Sequence, residues 1–154
     1  MYLSDIDGNV ISIQNECLSE ETGNKFERKG IFNLGERISK FNITKLQGKS
    51  LKDIAVMDND TEEVSVVYYG TIEGSLGVII QIKKEVFEVL EMIQNKLERN
   101  ECVKKKGFVE GNVLEKFLNF DEEYRKEFLK EINYQCKHNI SESINIIETL
   151  LKYH

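Results

Sequence analysis

Four oxygen-bearing side chains near the N-terminus have the types and spacing of calcium ligands. They stand at positions 1, 3, 5 and 12 of an EF-hand loop: Asp5, Asp7, Asn9 and Glu16. That loop requires glycine at its sixth position, where this chain has Val10, and a preceding helix for which the first four residues leave no room. We therefore interpret the segment as a β-turn with a solvated acidic tip.

Other patterns that could carry catalysis are incomplete. The three cysteines form no Cys-x-x-Cys pair, and the spacing of Cys136 and His138 does not favour a nucleophile–base pair on a helix. Gly70, Gly74 and Gly77 could suggest a phosphate loop, but a strand pattern follows them instead of the required helix. We predict no catalytic residue, no cofactor and no metal site, and so not an enzyme.

The overall charge argues against autonomous nucleic-acid binding. The chain has 27 acidic and 21 basic residues, a net charge of −6, and its one basic cluster is Lys104–Lys106. An acidic surface repels the phosphate backbone. No apolar run approaches the roughly 18 residues of a membrane span, so we expect no membrane partner.

Before Lys83 the apolar residues alternate or form short runs bounded by Gly, Asn and Asp, which indicates strands. A polar stretch from Asn15 to Lys29 is interpreted as a loop or a short helix. The predicted strands are Leu3–Ile6, Val10–Ile13, Arg37–Ile43, Leu51–Met57, Val64–Thr71 and Leu76–Ile82. The last four would form one antiparallel meander.

A faint repeat accompanies these strands. Ile6-Asp7-Gly8-Asn9 and Ile72-Glu73-Gly74-Ser75 share an apolar, an acidic, a glycine and a polar residue before an apolar strand. Propeller blades repeat such hairpins about every 40–45 residues. The first 82 residues would supply about one and a half blades, which cannot close by themselves.

After Lys83 the period becomes helical. Apolar residues share one face of each of four predicted helices. The first carries Val86, Leu90, Ile93 and Leu97, the second Val113, Leu114, Phe117 and Leu118, the third Tyr124, Phe128 and Ile132, and the fourth Ile144, Ile147 and Leu151. Asp121 and Ser141 are predicted N-caps. The fold class is α+β, with a partial propeller over 1–82 and a helical domain over 83–154.

Four segments together resemble one protein family. They are Gly30–Glu36 (GIFNLGE), Tyr69–Gly77 (YGTIEGSLG), Leu90–Leu97 (LEMIQNKL) and Gly107–Glu115 (GFVEGNVLE). The family includes the large subunit of the UV-damaged-DNA-binding complex, which is the adaptor of cullin-four ubiquitin ligases. It also includes the largest subunit of the cleavage and polyadenylation specificity factor and a splicing-factor relative. Phe32–Glu36, Met92–Leu97 and the ending Leu151–His154 resemble the ligase adaptor most.

The resemblance implies the last blades of a propeller followed by a helical domain. In the adaptor, a cleft between two propellers binds a helix of WD-repeat substrate receptors, and Ile72 matches a position that lines this cleft. Two further cleft positions fall on Arg37 and Ser39, where the family typically has an aromatic and an amide residue. The segment from Asn100 to Lys106 is shorter than in the family.

The expected function is therefore a non-catalytic scaffold. Its expected partners are WD-repeat substrate receptors or the remaining blades of a larger chain, and the family implies a nuclear location, with the cytoplasm as a second one, and DNA repair. The open alternatives for the chain are a divergent, split or truncated copy of the adaptor, or an assembly subunit. The alternative is a subunit segment of an mRNA 3′-end-processing or splicing complex that binds nucleic acid.

Overall fold

The computed structural model describes residues 1–17, 24–47, 51–58, 63–98, 107–133 and 140–152. Its six strands and four helices are β1 Tyr2–Ser4, β2 Asn9–Cys17, β3 Asn24–Asn33, β4 Ile38–Leu46, β5 Val64–Thr71, β6 Leu76–Ile80, α1 Lys84–Leu97, α2 Gly111–Leu118, α3 Glu122–Asn133 and α4 Ile140–Leu151. The α+β class is confirmed. None of the helices in this described part of the chain has the length and apolar character needed to cross a bilayer.

The strands form two three-stranded sheets, in the orders β1-β2-β3 and β4-β5-β6. In the first sheet all pairs are antiparallel, and the hairpin predicted around Asp7-Gly8-Asn9 is confirmed by the pairing of Ser4 with Val10. Ile6, predicted at a strand end, lies in the turn. The chain divides into two compact units. The first contains the described residues of Met1–Phe41, Tyr69–Leu76 and Cys102–Phe108, and the second contains the remaining described residues.

The loop or short helix predicted from Asn15 to Lys29 is wrong for the described residues. β2 continues through Cys17, and β3 begins at Asn24. Residues 25–29 are all exposed. Because neither face of β3 is buried over these five residues, the sequence lacks the apolar alternation that marks a half-buried strand.

The strand predicted over Leu51–Met57 is also wrong. Leu51 and Ala55 are fully buried and Ile54 is nearly so, and the carbonyl of Leu51 accepts hydrogen bonds from the amides of Ile54 and Ala55. This i, i+3, i+4 spacing is that of a single helical turn. Within the described residues, this segment takes part in β pairing through two isolated bridges, Ala55 with Ile82 and Met57 with Val64.

The four predicted helices are present, and they bury their apolar faces in the second unit. The buried residues of the main cluster include Leu90, Ile93, Phe117, Phe128 and Ile147. Each fully buried side chain of this size contributes about 1.5–3 kcal/mol relative to exposure, so this cluster is the main stabilising element of the second unit.

Of the two predicted N-caps, Asp121 is confirmed and Ser141 is wrong. The Oδ1 atom of Asp121 accepts a hydrogen bond from the amide of Tyr124 at 2.8 Å, as an N-cap does. The helix described as Ile140–Leu151 already contains Ser141, so the prediction of Ser141 as its N-cap is wrong. The side chain of Leu151 lies outside the described residues.

Within the second unit a buried amide fixes the connection between α1 and α2. Gln94 is 2% exposed, and its Oε1 atom accepts a hydrogen bond from the backbone amide of Glu110 at 2.7 Å. Glu110 is the residue that precedes α2. The side chain of one helix thus holds the start of the next.

Candidate protein-binding depression

Two turns of the first unit have the same hydrogen-bonding pattern. In the turn Asp5–Asn9, the amide of Asp5 donates to the carbonyl of Asn9 at 3.1 Å, and the amide of Gly8 donates to the carbonyl of Asp5 at 3.4 Å. In the turn Thr71–Ser75, the corresponding distances are 2.9 Å and 3.3 Å, with Gly74 in the place of Gly8. Both glycines have positive φ, 77° and 97°.

The first side chain of each turn completes the same pattern. Asp5 Oδ1 accepts from the amide of Asn9 at 2.9 Å, and Thr71 Oγ1 accepts from the amide of Ser75 at 2.9 Å. The faint sequence repeat is therefore a repeat of turn geometry. Ile6 and Ile72 are the equivalent second residues of these two turns.

A surface depression of about 360 Å³ lies beside both turns. It is lined by Ser4, Asp5, Ile6, Arg37, Ile38 and Ile72. Ile6 is 81% exposed and Ile72 is 54% exposed, so both side chains leave apolar surface in contact with solvent beside the depression. The depression combines apolar walls with two charged side chains.

The β5–β6 turn is tied to the start of β4. The amide of Ile72 donates to the carbonyl of Arg37 at 2.9 Å, and Thr71 Oγ1 donates to Glu36 Oε2 at 2.7 Å. Interactions with the side chain of Thr71, and to a lesser extent with that of Ser75, lower the pKa of Glu36 below its ordinary value. An ionised Glu36 thus holds the turn that carries Ile72.

Asp5 uses its carboxylate within its own turn. Besides the amide of Asn9, the amide of Asp7 donates to Oδ1 at 3.0 Å and the Asn9 side-chain amide donates to Oδ2 at 2.8 Å. The hydrogen bonds from Asn9 lower the pKa of Asp5. This confirms the β-turn interpretation of the segment. Among the described residues, no group of three or more His, Cys, Asp or Glu side chains is placed to hold a metal ion.

The structure brings together two of the three positions that the family resemblance singled out. Ile72 and Arg37 line the same depression, whereas Ser39 does not, and its Oγ atom donates to the carbonyl of Gly70 at 2.9 Å. Cys102, Lys104–Lys106, Cys136 and His138 lie outside the described residues.

Sequence reasoning missed four lining residues, Ser4, Asp5, Ile6 and Ile38. Ile6 could have been found, because the repeat already placed it at the position equivalent to Ile72. Nothing local to Ser4 or Ile38 signals a shared surface, since they meet Ile72 only through the fold.

Comparison with known proteins agrees with the resemblance. The sequence profile described as "CPSF A subunit region" matches residues 1–103. The chain is 24% identical over 167 aligned residues to DNA damage-binding protein 1b of Arabidopsis thaliana and 22% identical to DNA damage-binding protein 1a of the same plant, each alignment covering 95% of this chain. It is also 22% identical over 90% of its length to DNA damage-binding protein 1 of Solanum lycopersicum.

The chain spans 14% of the length of each of these relatives. The profile match covers more than half of the chain, from β1 through α1. Both turns and all the residues named above as lining the depression lie within this matched region. The chain therefore belongs to the CPSF A subunit region family, and within it resembles the DNA damage-binding proteins.

Proposed function

We propose that this chain is a non-catalytic scaffold that binds a protein partner at the depression around Ile72. The observation that carries the proposal is the exposure of Ile72 and Ile6 at the rim of one depression, on two turns with the same hydrogen-bonding pattern. Exposed apolar side chains beside a concave surface mark sites of protein–protein contact. Ile72 is also the position that the resemblance assigns to partner binding.

More specifically, we propose that the chain is a segment that resembles the C-terminal end of the substrate-receptor adaptor of cullin-four ubiquitin ligases. Residues 1–82 would then be terminal propeller blades and 83–154 a helical domain, and the protein would act in the nucleus. Its partners would be WD-repeat substrate receptors or the other blades of a larger chain.

The register of the first sheet supports the propeller part of this proposal. Val10 and Phe32 pair on one face, while Leu3, Ile11 and Ile31 align on the other. A sheet with apolar residues on both faces is suited to packing between two other sheets, as a propeller blade does. Leu3 remains 44% exposed, which leaves apolar area for such a neighbour.

Affinity purification of the tagged chain from its source cells tests the function. The wild type should retain substrate receptors of cullin-four ligases, and Ile72→Glu should reduce their recovery by about tenfold, since a buried apolar anchor is worth at least about 1–2 kcal/mol. The matched control is Leu76→Glu, because Leu76 is 88% exposed on the same hairpin and does not line the depression. Recovery of polyadenylation or splicing factors in place of ligase components would contradict the proposal.

A further inference from the structure

The two charged side chains that line the depression, and the neighbouring Glu36, differ in their hydrogen-bond partners. Both oxygens of Asp5 accept hydrogen bonds from its own turn. Glu36 accepts a hydrogen bond from the hydroxyl of Thr71. Within the part of the chain that the structure describes, no hydrogen bond or ion pair engages the guanidinium of Arg37.

Arg37 is therefore the charged group at the depression that is open to a ligand. Its side chain is exposed, and its backbone is held in place because its carbonyl accepts the amide of Ile72. A guanidinium offers five N–H donors in a planar fork that matches a carboxylate. Ile6, Ile38 and Ile72 form the apolar part of the depression that Arg37 also lines.

We infer that the partner segment bound here carries a carboxylate beside a large apolar side chain. The apolar side chain fills the depression against Ile72 and Ile6, and the carboxylate pairs with Arg37. The inference rests on the proposed function and adds the chemistry of the partner. A site that offers an unpaired cation selects an acidic partner and disfavours a basic one, because a like charge beside Arg37 is repelled.

Selection from a phage-displayed library of random peptides tests this inference on the full chain. Peptides selected on the wild type should be enriched in Asp or Glu next to a large apolar residue. Their affinity, measured by fluorescence anisotropy, should fall by about tenfold on Arg37→Glu, the effect of losing one charge-assisted contact. Replacing the peptide's acidic residue with Lys should restore binding to the Arg37→Glu chain.

The matched control is Arg28→Glu, which makes the same change of charge at an exposed position on β3 that does not line the depression. Its affinity for the selected peptides should equal that of the wild type. An equal loss on Arg28→Glu would show a nonspecific effect of net charge and would overturn the assignment to Arg37.

The outcomes separate the inference from the proposed function. Peptides that require Ile72 but have no acidic residue, or that bind Arg37→Glu as well as the wild type, would overturn the inference alone. Peptides indifferent to Ile72→Glu, or failure to select any peptide, would overturn the proposed function and the inference with it. Binding of a labelled single-stranded RNA that is lost on Arg37→Glu would reassign Arg37 to phosphate and overturn the acidic-peptide assignment.

Discussion

At the scale of single residues, the carboxylate of Glu36 connects the start of β4 to the turn that carries Ile72. Its carboxylate accepts the hydroxyl of Thr71, which is 8% exposed, and Thr71 in turn accepts the amide of Ser75. Because the charged form of Glu36 is the better acceptor, its pKa is lowered in the folded chain.

The lowered pKa of Glu36 predicts a pH-dependent contribution to stability. A group whose pKa is lowered on folding stabilises the fold above its unfolded pKa, here 4.5, and this contribution is lost as the pH falls through the lower folded value. We expect the difference in Tm between the wild type and Glu36→Gln to be largest above pH 4.5 and to shrink as the pH falls below it. Thermal unfolding followed by circular dichroism at a series of pH values measures it.

Asp5 and Glu122 also have lowered pKa values. Because both residues are present in the wild type and in Glu36→Gln, their contributions to stability cancel in the difference in Tm. Glu73→Gln removes an exposed carboxylate from the same turn and is the control for the loss of one negative charge. A Tm difference between the wild type and Glu36→Gln that does not change with pH would show that Glu36 does not act through its charge.

At the scale of elements, the turn between β1 and β2 packs closely on the turn between β3 and β4. The carbonyl of Gly8 accepts the amide of Leu34 at 2.8 Å. A Cβ atom at Gly8 would lie 2.9 Å from the backbone nitrogen of Glu36, closer than real Cβ atoms approach. This contact sets the position of Glu36, and through it that of Thr71.

Comparing the stabilities of Gly8→Ala and Gly35→Ala should separate the cost of a steric clash from the cost of backbone strain. Gly8 and Gly35 have nearly equal φ, 77° and 79°, but a Cβ at Gly35 meets no atom within 4 Å. We expect Gly35→Ala to lower the free energy of unfolding by about 1–2 kcal/mol, the cost of left-handed backbone. Gly8→Ala should lower it by at least about 1 kcal/mol more, because a backbone atom must move. Urea unfolding measures both.

Equal losses in the two variants would contradict the close packing of the turns. Peptide binding should also weaken in Gly8→Ala and not in Gly35→Ala, because only the first displaces Glu36 and the turn that carries Ile72.

At the scale of the whole molecule, the net charge of −6 disfavours binding to a polyanion such as a nucleic acid. A chain with this excess of carboxylates gains little from releasing counterions of a nucleic acid. Arg37 provides one local exception, and a single guanidinium supplies only a small fraction of the phosphate contacts of a typical nucleic-acid-binding protein.

The whole-molecule charge predicts no measurable binding of single-stranded RNA, even at about 50 mM salt, where electrostatic binding is strong. Fluorescence anisotropy of a labelled oligonucleotide measures it, with a known RNA-binding protein as the positive control. Binding that weakens steeply with rising salt would contradict this prediction and favour the RNA-processing branch of the family.

The sequence by itself determined the helices, the two repeated turns and the family. Residues such as Leu90 and Ile93 share a helix face, and glycine at Gly8 and Gly74 adopts positive φ, so short-range chemistry is enough to predict both.

Only the tertiary structure decided that β3 extends through exposed polar residues, that Leu51–Ala55 forms a helical turn, and that Arg37 lies beside Ile6 and Ile72. The physical reason is that these features depend on cross-strand hydrogen bonds and on contacts between turns far apart in the chain. Neither kind of interaction produces a periodic pattern of apolar residues in the local sequence.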